Sequence, residues 1–297
     1  MFELRDLQFL AALARQRHFA RAAEECGVSQ PAFSMRIRKL EDRLGAQIVK
    51  RGNRFEGFTT EGELIVGHAQ KILDDVRVLQ QEVLASGGTV TGPVSLGVIP
   101  TVVAYAAQLA LTLNENYPGI TLRILTATSL AVQQGVEDGR FDAGLTYSDG
   151  ASEDMLQIEP IYDETYVLLA PQQIAPRVSG AATWEEAAQL PLCLLEPGMQ
   201  NRRILDRQFG DLGLEPQIVC EANGLHAGIV MALQAPVACI LPRVLADSFT
   251  LPDQIAILRL AEPVLAKEIS LVTSARAPDS PALVALRQAA EETRHKQ

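Results

Sequence analysis

Leu4, Leu7, Phe9, Leu10 and Leu13 recur at helical spacing and predict a first helix. A second helix over about 19–26 is built on Ala20, Ala22 and Ala23, whose small side chains let another helix approach closely. Gly27 comes next, where the chain must turn, and glycine tolerates the positive φ that helix ends favour. Ser29 is a good N-cap, and Pro31 falls in the first turn of a third helix over about 30–44. Phe33, Ile37, Leu40 and Leu44 form its inner stripe, leaving Gln30, Ser34, Met35, Arg36, Arg38 and Lys39 for the other faces. One packed face and one polar, basic face is the layout of a helix that reads base edges, and also that of an ordinary solvated basic helix. The next segment of the chain favours the first reading. Residues 48–51 and 55–59 read as two short strands around the polar turn Gly52-Asn53-Arg54. A basic hairpin after a helix-turn-helix is a wing, with Arg51 and Arg54 as its candidates for phosphate or minor-groove contact.

From about 61 to 86 there is no proline, and Leu64, Ile65, Ala69, Ile72, Leu73, Val76, Leu79 and Val83 keep the helical period. A helix that long with an apolar stripe needs a partner; a second copy is the simplest, and the chain's own body is the alternative. Ser86-Gly87-Gly88-Thr89 ends it as a hinge. Strands then alternate with helices. Strands are expected at 94–99, 120–126, 143–146, 166–170, 192–195, 218–221, 237–241 and 268–273. Helices are expected at 100–116, 130–138, 184–189, 202–212, 225–233 and 281–294. That order argues for mainly parallel sheets covered by helices, in two lobes with a cleft between them.

Charge separates the chain in the same way. The net charge of the 297 residues is −10, yet residues 1–60 hold 11 Lys/Arg against 7 Asp/Glu. Positive charge confined to the first segment is the footprint of a small nucleic-acid-binding module on an acidic body. No apolar run reaches the length needed to cross a bilayer, and the acidic start lacks a secretory n-region, so a cytoplasmic protein without membrane contact is expected. Cys26, Cys193, Cys220 and Cys239 form no metal-ligand spacing and sit in or beside apolar stretches, which predicts buried, reduced thiols and no metal. No nucleophile–base pair, phosphate loop or cofactor motif is evident, so neither an enzyme nor a cofactor is expected.

The runs Leu7-Gln8-Phe9-Leu10, Phe19-Ala20-Arg21-Ala22-Ala23, Val28-Ser29-Gln30-Pro31-Ala32-Phe33-Ser34, Ile37-Arg38-Lys39-Leu40-Glu41, Leu44-Gly45 and Thr59-Thr60-Glu61-Gly62 closely resemble the LysR-type transcriptional regulators. The match is dense over the first ~62 residues and looser after residue 90. Where the family often has Ser-Arg-Gln, this chain has Ser34-Met35-Arg36, which moves the basic side chain by one position, ~100° around a helix. The resemblance implies an N-terminal all-α winged helix-turn-helix (1–60), a long linker helix that dimerises (61–88), and a two-lobed, periplasmic-binding-protein-like α/β sensor domain (89–297). Lobe I is expected at about 91–163 and 266–297, and lobe II at about 164–265. It also implies double-stranded promoter palindromes as partner, a homodimer or homotetramer, and contact with RNA polymerase.

The expected DNA-binding residues are therefore Ser29, Gln30, Pro31, Ser34, Arg36, Arg38, Arg51 and Arg54. For the sensor, ligands of open α/β sheets bind beyond the carboxyl ends of strands. Four such ends carry Pro100 and Thr101, Thr128 and Ser129, Met199 to Asn201 through Gln200, and Asn223, each followed by a helix whose free N–H groups favour an anion. Arg202 and Arg203 could add charge, His226 could face the cleft, and Tyr147 could close it. Thr101, Ser129 and Asn201 could equally be plain helix caps. Some regulators of the resembled family sense peroxide through a cysteine near Gln200; the Met199-Gln200 pair here does not support that chemistry. The expectation is a regulator controlled by a small anionic effector, which favours one lobe arrangement and so changes the spacing of the DNA-binding pairs. The alternative is a solute-binding protein without a regulatory role.

Overall fold

The computed structural model describes residues 3–50, 55–85, 90–152, 154–176, 180–276 and 279–294. Helices α1 (Leu4–Gln16), α2 (Phe19–Glu25) and α3 (Gln30–Leu44) pack around Leu10, Leu13, Phe33, Ile37 and Leu40, all buried. A run of rings ties this core together. Phe9 stacks on Phe33 at 4.8 Å, Phe19 meets Phe33 and Phe55 edge-on, and Phe55 meets Phe58. Gly45 closes α3 with φ of 67°, a left-handed conformation that glycine adopts without penalty.

Of the expected wing strands, the described residues carry one antiparallel bridge, Val49 to Phe58. Arg51 and Arg54 lie outside the described residues. The wing's first arm is pinned to α3: Glu41 Oε1 accepts the backbone N–H of Ile48 (2.8 Å) and of Val49 (3.1 Å).

Helix α4 (Thr60–Ala85) starts where Thr59 Oγ1 accepts the N–H of Gly62. Gly62 lies against the backbone of Ile48, and a Cβ there would stand 2.0 Å from the Ile48 carbonyl oxygen. Val66 and Ala69 of α4 face the α1–α3 core, while Leu64, Ile72 and Leu79 are exposed. Gln70 donates to the Asp138 carbonyl (2.9 Å), joining α4 to the sensor.

The sensor consists of strands β1 (Gly92–Val98), β2 (Ile120–Thr126), β3 (Ala143–Tyr147), β4 (Leu156–Pro171), β5 (Ala181–Thr183), β6 (Leu192–Leu195), β7 (Ile218–Ala222), β8 (Ala238–Pro242), β9 (Ile255–Ala261) and β10 (Ala266–Ser274). The strand order is β2-β1-β3-β10-β4-β8-β6-β7, with β9 paired to β4 and β5. Pairing is parallel among β1, β2 and β3 and among β6, β7 and β8, and antiparallel where β4 and β10 meet their neighbours. Strand β4 starts at Leu156, ten residues before the expected 166, because its first half pairs with β10 in one lobe and its second half with β8 and β9 in the other.

Helices α5 (Val103–Asn116), α6 (Ser129–Glu137) and α11 (Pro281–Arg294) cover the first lobe; α7 (Trp184–Ala188), α8 (Gln200–Asp211), α9 (His226–Gln234) and α10 (Arg243–Asp247) belong to the second. Each lobe has its own core, one around Leu96, Tyr105, Leu145 and Leu286, the other around Trp184, Leu192, Phe209 and Ile240. Strands β5 and β9 and helix α10 were not expected from the sequence. Among the cysteines, Cys193 and Cys239 are buried, whereas Cys26 and Cys220 are half-buried, because Cys220 lies on the sheet's edge strand.

Candidate functional sites

Two sites were expected, and each is built by local chemistry. On α3, the Ser29 hydroxyl accepts the N–H of Ala32 and caps the helix, with Pro31 in its first turn. Gln30, Pro31, Arg38 and Lys39 are exposed and Ser34 is half-buried, while Phe33, Ile37 and Leu40 hold the inner face. The structure does not bring Arg36 to the exposed polar stripe. Its Nε donates to Asp6 (2.7 Å), its Nη2 to Glu3 (2.7 Å), and its guanidinium lies over the Phe9 ring. The bond to Asp6 is the largest influence raising the Arg36 pKa above its ordinary value. The one-position shift seen in the sequence thus turns this cation toward α1.

The second site lies between the lobes. Pro100, Thr101, Thr128, Ser129 and Tyr147 from one lobe meet Met199, Gln200 and Asn201 from the other, with Ile99 and Leu195 completing the lining. The cavity has a volume of about 10 Å³, room for about one water molecule. Thr128 caps α6 through the N–H of Ala131 (3.3 Å), and Ser129 Oγ lies 2.6 Å from Thr146 Oγ1, so both also serve as structural polar groups. Met199 stands at the N-cap of α8 and gives it no side-chain cap. Asn201 is buried, and neither atom of its amide has a hydrogen-bond partner among the described residues. Such a group costs free energy unless something binds it.

Asn223 and His226 are exposed and outside this lining. They come after β7, the outermost strand of its lobe, so that strand end is displaced from the crossover where the other three converge. Arg202 adds no charge to the cavity either. Its guanidinium donates to the Leu195 carbonyl, Glu221 and Asp206 at 2.6–2.9 Å. Arg203 is exposed and lines a larger outer space, about 330 Å³, that shares Gln200 with the inner cavity.

Behind Tyr147 stands a group that sequence reasoning missed. Glu164, on β4, is buried at 1 % exposure. Its Oε1 accepts hydrogen bonds from the hydroxyls of Tyr147 (2.6 Å) and Tyr166 (2.7 Å), and Tyr147 Oη lies 3.4 Å from Thr101 Oγ1. Glu164 Oε2 has no partner among the described residues. Burial raises its carboxyl pKa to about 7, against the opposing hydrogen bonds from Tyr147, Tyr166 and Thr101. Burial likewise pushes the Tyr147 phenol well above its usual value, with the Glu164 charge adding to the effect. A signal was present in the sequence: Tyr162, Glu164, Tyr166, Leu168 and Ala170 share one face at period two, and a carboxylate on that face is out of place.

A helical domain with a helix-turn-helix, joined by a long helix to a two-lobed α/β domain, is the architecture of a DNA-binding transcriptional regulator. Residues 4–63 match the bacterial regulatory helix-turn-helix proteins of the lysR family, and residues 87–294 match the LysR substrate binding domain. The chain belongs to the LysR family. It is 36 % identical over 166 residues to the DNA-binding transcriptional dual regulator OxyR of Escherichia coli K12, covering 56 % of this chain and 54 % of that protein. It is 31 % identical over 215 residues to a probable hydrogen peroxide-inducible genes activator of Streptomyces viridosporus, covering 71 % and 69 %. The chain spans about half the length of several curated relatives it matches. Among solved structures, a full-length OxyR variant from Pseudomonas aeruginosa superposes with a TM-score of 0.75 at 26 % identity, over 98 % of this chain and 95 % of that one. CbnR, a LysR family regulator solved in complex with its target DNA, shares the fold at TM-score 0.63 and 20 % identity, over 98 % and 100 % of the two chains. No helix among the described residues is long and apolar enough to cross a membrane.

Proposed function

We propose that this LysR-family regulator binds promoter palindromes as a homodimer or homotetramer and is controlled by a small anionic effector held between the lobes of its sensor. The observation that carries the effector site is the convergence of eight residues from both lobes on one cavity beside the unpartnered amide of Asn201. Gln30, Ser34 and Arg38 read the DNA, Ser29 and Pro31 set the start of the reading helix, and Arg51 and Arg54 contact the backbone or minor groove. Exposed Leu64, Ile72 and Leu79 on α4 support pairing through that helix, and RNA polymerase is the partner on DNA. The domains fall at 1–60, 61–88 and 89–297. A ligand larger than water needs the lobes to separate, which couples occupancy to lobe arrangement.

A second effector reading is hydrogen peroxide, bound intact. The cavity's water-sized volume and the names of the curated relatives favour it. A thermal-shift comparison of formate with peroxide, then gel shifts on genomic fragments, tests both readings. A ligand selective for the folded state raises the melting temperature. Asn201→Ala removes that rise if the ligand occupies the cavity, and an undiminished rise refutes the site.

A further inference from the structure

We propose that the interlobe site takes up its anion together with one proton, carried by Glu164, which acts on the ligand through Tyr147. This rests on the effector site proposed above and specifies its regulation.

No lysine, arginine or histidine lines the inner cavity among the described residues. The attraction for an anion is left to the starts of α6 and α8 and to the Asn201 amide. The carboxylate immediately behind the cavity opposes it. Glu164 reaches the cavity through hydroxyls of its lining: Tyr147 donates to Glu164 Oε1 at 2.6 Å, and Thr101, 3.4 Å from the Tyr147 hydroxyl, also bonds the carboxylate. While Glu164 is ionised, the Tyr147 proton is held inward and Tyr147 offers the cavity only its lone pairs. A neutral Glu164 removes the buried negative charge and frees the Tyr147 hydroxyl to donate to the ligand.

The groups around Glu164 leave the balance to a proton. From β3 comes Tyr147; from β4 itself come Tyr166 and Tyr162; from the turn at Pro100–Val102 comes Thr101; from α5 the Tyr105 ring packs behind Tyr162, tilted by 39° with centroids 5.3 Å apart. Lys267, the cross-strand neighbour on β10, carries its ammonium to within 3.9 Å of Asp149. Tyr162 Oη and Glu164 Oε2 both lack partners among the described residues, so half of the carboxylate is desolvated without compensation.

The test is calorimetric titration of the full chain with sodium formate at pH 5.5, 7 and 8.5, in pairs of buffers with different ionisation enthalpies. The wild type should take up close to one proton per formate at pH 8.5 and almost none at pH 5.5. Its apparent affinity should fall about tenfold per pH unit above neutrality. Glu164→Gln, isosteric with the neutral acid, should bind at every pH as the wild type does at pH 5.5, with no proton uptake. Tyr166→Phe lies outside the cavity lining and removes one donor to the ionised form; it should move the midpoint of uptake to higher pH. Formate binding by the wild type without proton uptake at pH 8.5, or an unmoved midpoint in Tyr166→Phe, overturns the proposal while leaving the effector site standing. Absence of formate binding at pH 5.5, or binding that Asn201→Ala leaves intact, overturns the anion site itself and the proposal with it.

Discussion

The guanidinium of Arg36 and the carboxylate of Asp6 form an ion pair at 2.7 Å that fastens α3 to α1, with Asp6 only 4 % exposed at its side chain. Arg43 reaches the same carboxylate from about two helical turns further on, at 3.3 Å. Arg36→Ala should therefore lower the stability of the N-terminal domain by about 2 kcal/mol, the scale of a hydrogen bond to a charged group. Urea unfolding monitored by the far-ultraviolet signal measures this. A fully stable variant whose only defect is base discrimination would return Arg36 to the DNA surface.

Gln30→Ala and Ser34→Ala should weaken binding to a specific site more than to random DNA, by about 1–3 kcal/mol for a lost base contact. Arg54→Ala should weaken both alike and reduce the salt dependence. Competitive gel shifts at two salt concentrations separate the two classes; equal losses for all three variants would remove the distinction.

Gly62→Ala should cost about 3 kcal/mol, because the added methyl meets the Ile48 carbonyl oxygen, which is backbone and cannot swing away. Gly67, on a different face of the same helix, has open space where a Cβ would stand, so Gly67→Ala should be neutral or slightly stabilising. A pair of melting curves decides; similar melting temperatures for the two variants contradict the contact.

Stability should also carry the mark of Glu164. Its folded pKa of about 7 lies above the ordinary 4.5, so its contribution to stability is complete below pH 4.5 and is lost as pH rises to 7. That difference corresponds to about 3 kcal/mol. Between those two pH values the wild type should lose about this much more than Glu164→Gln in parallel denaturation series. Parallel pH profiles for the two proteins would mean that Glu164 titrates normally.

Much of the molecule was legible before its structure because the signals were local. Leu10, Leu13, Phe33 and Ile37 announced their helices by spacing, and three of four strand ends led to one cavity. The fourth, at Asn223 and His226, failed because the rule for ligand sites needs the order of strands in the sheet, and β7 is placed at the edge by long-range pairing. Helix α10 has only five residues, too short for a period to register. Glu164 acquires its character from Tyr147 and Thr101, which stand far from it in sequence and meet it only after folding. Arg36 and Arg202 read as free cations until their carboxylate partners were in place.

Strand β4 runs for 16 residues from one lobe into the other, and β10 returns beside its first half with a bulge at Ile161. One of the two links between the lobes is thus pleated ribbon; the other is the short segment 262–265 between β9 and β10. Rotating one lobe against the other must twist hydrogen-bonded backbone, so the restoring torque rises with angle. Such a joint favours small, reversible excursions of one lobe against the other over large ones.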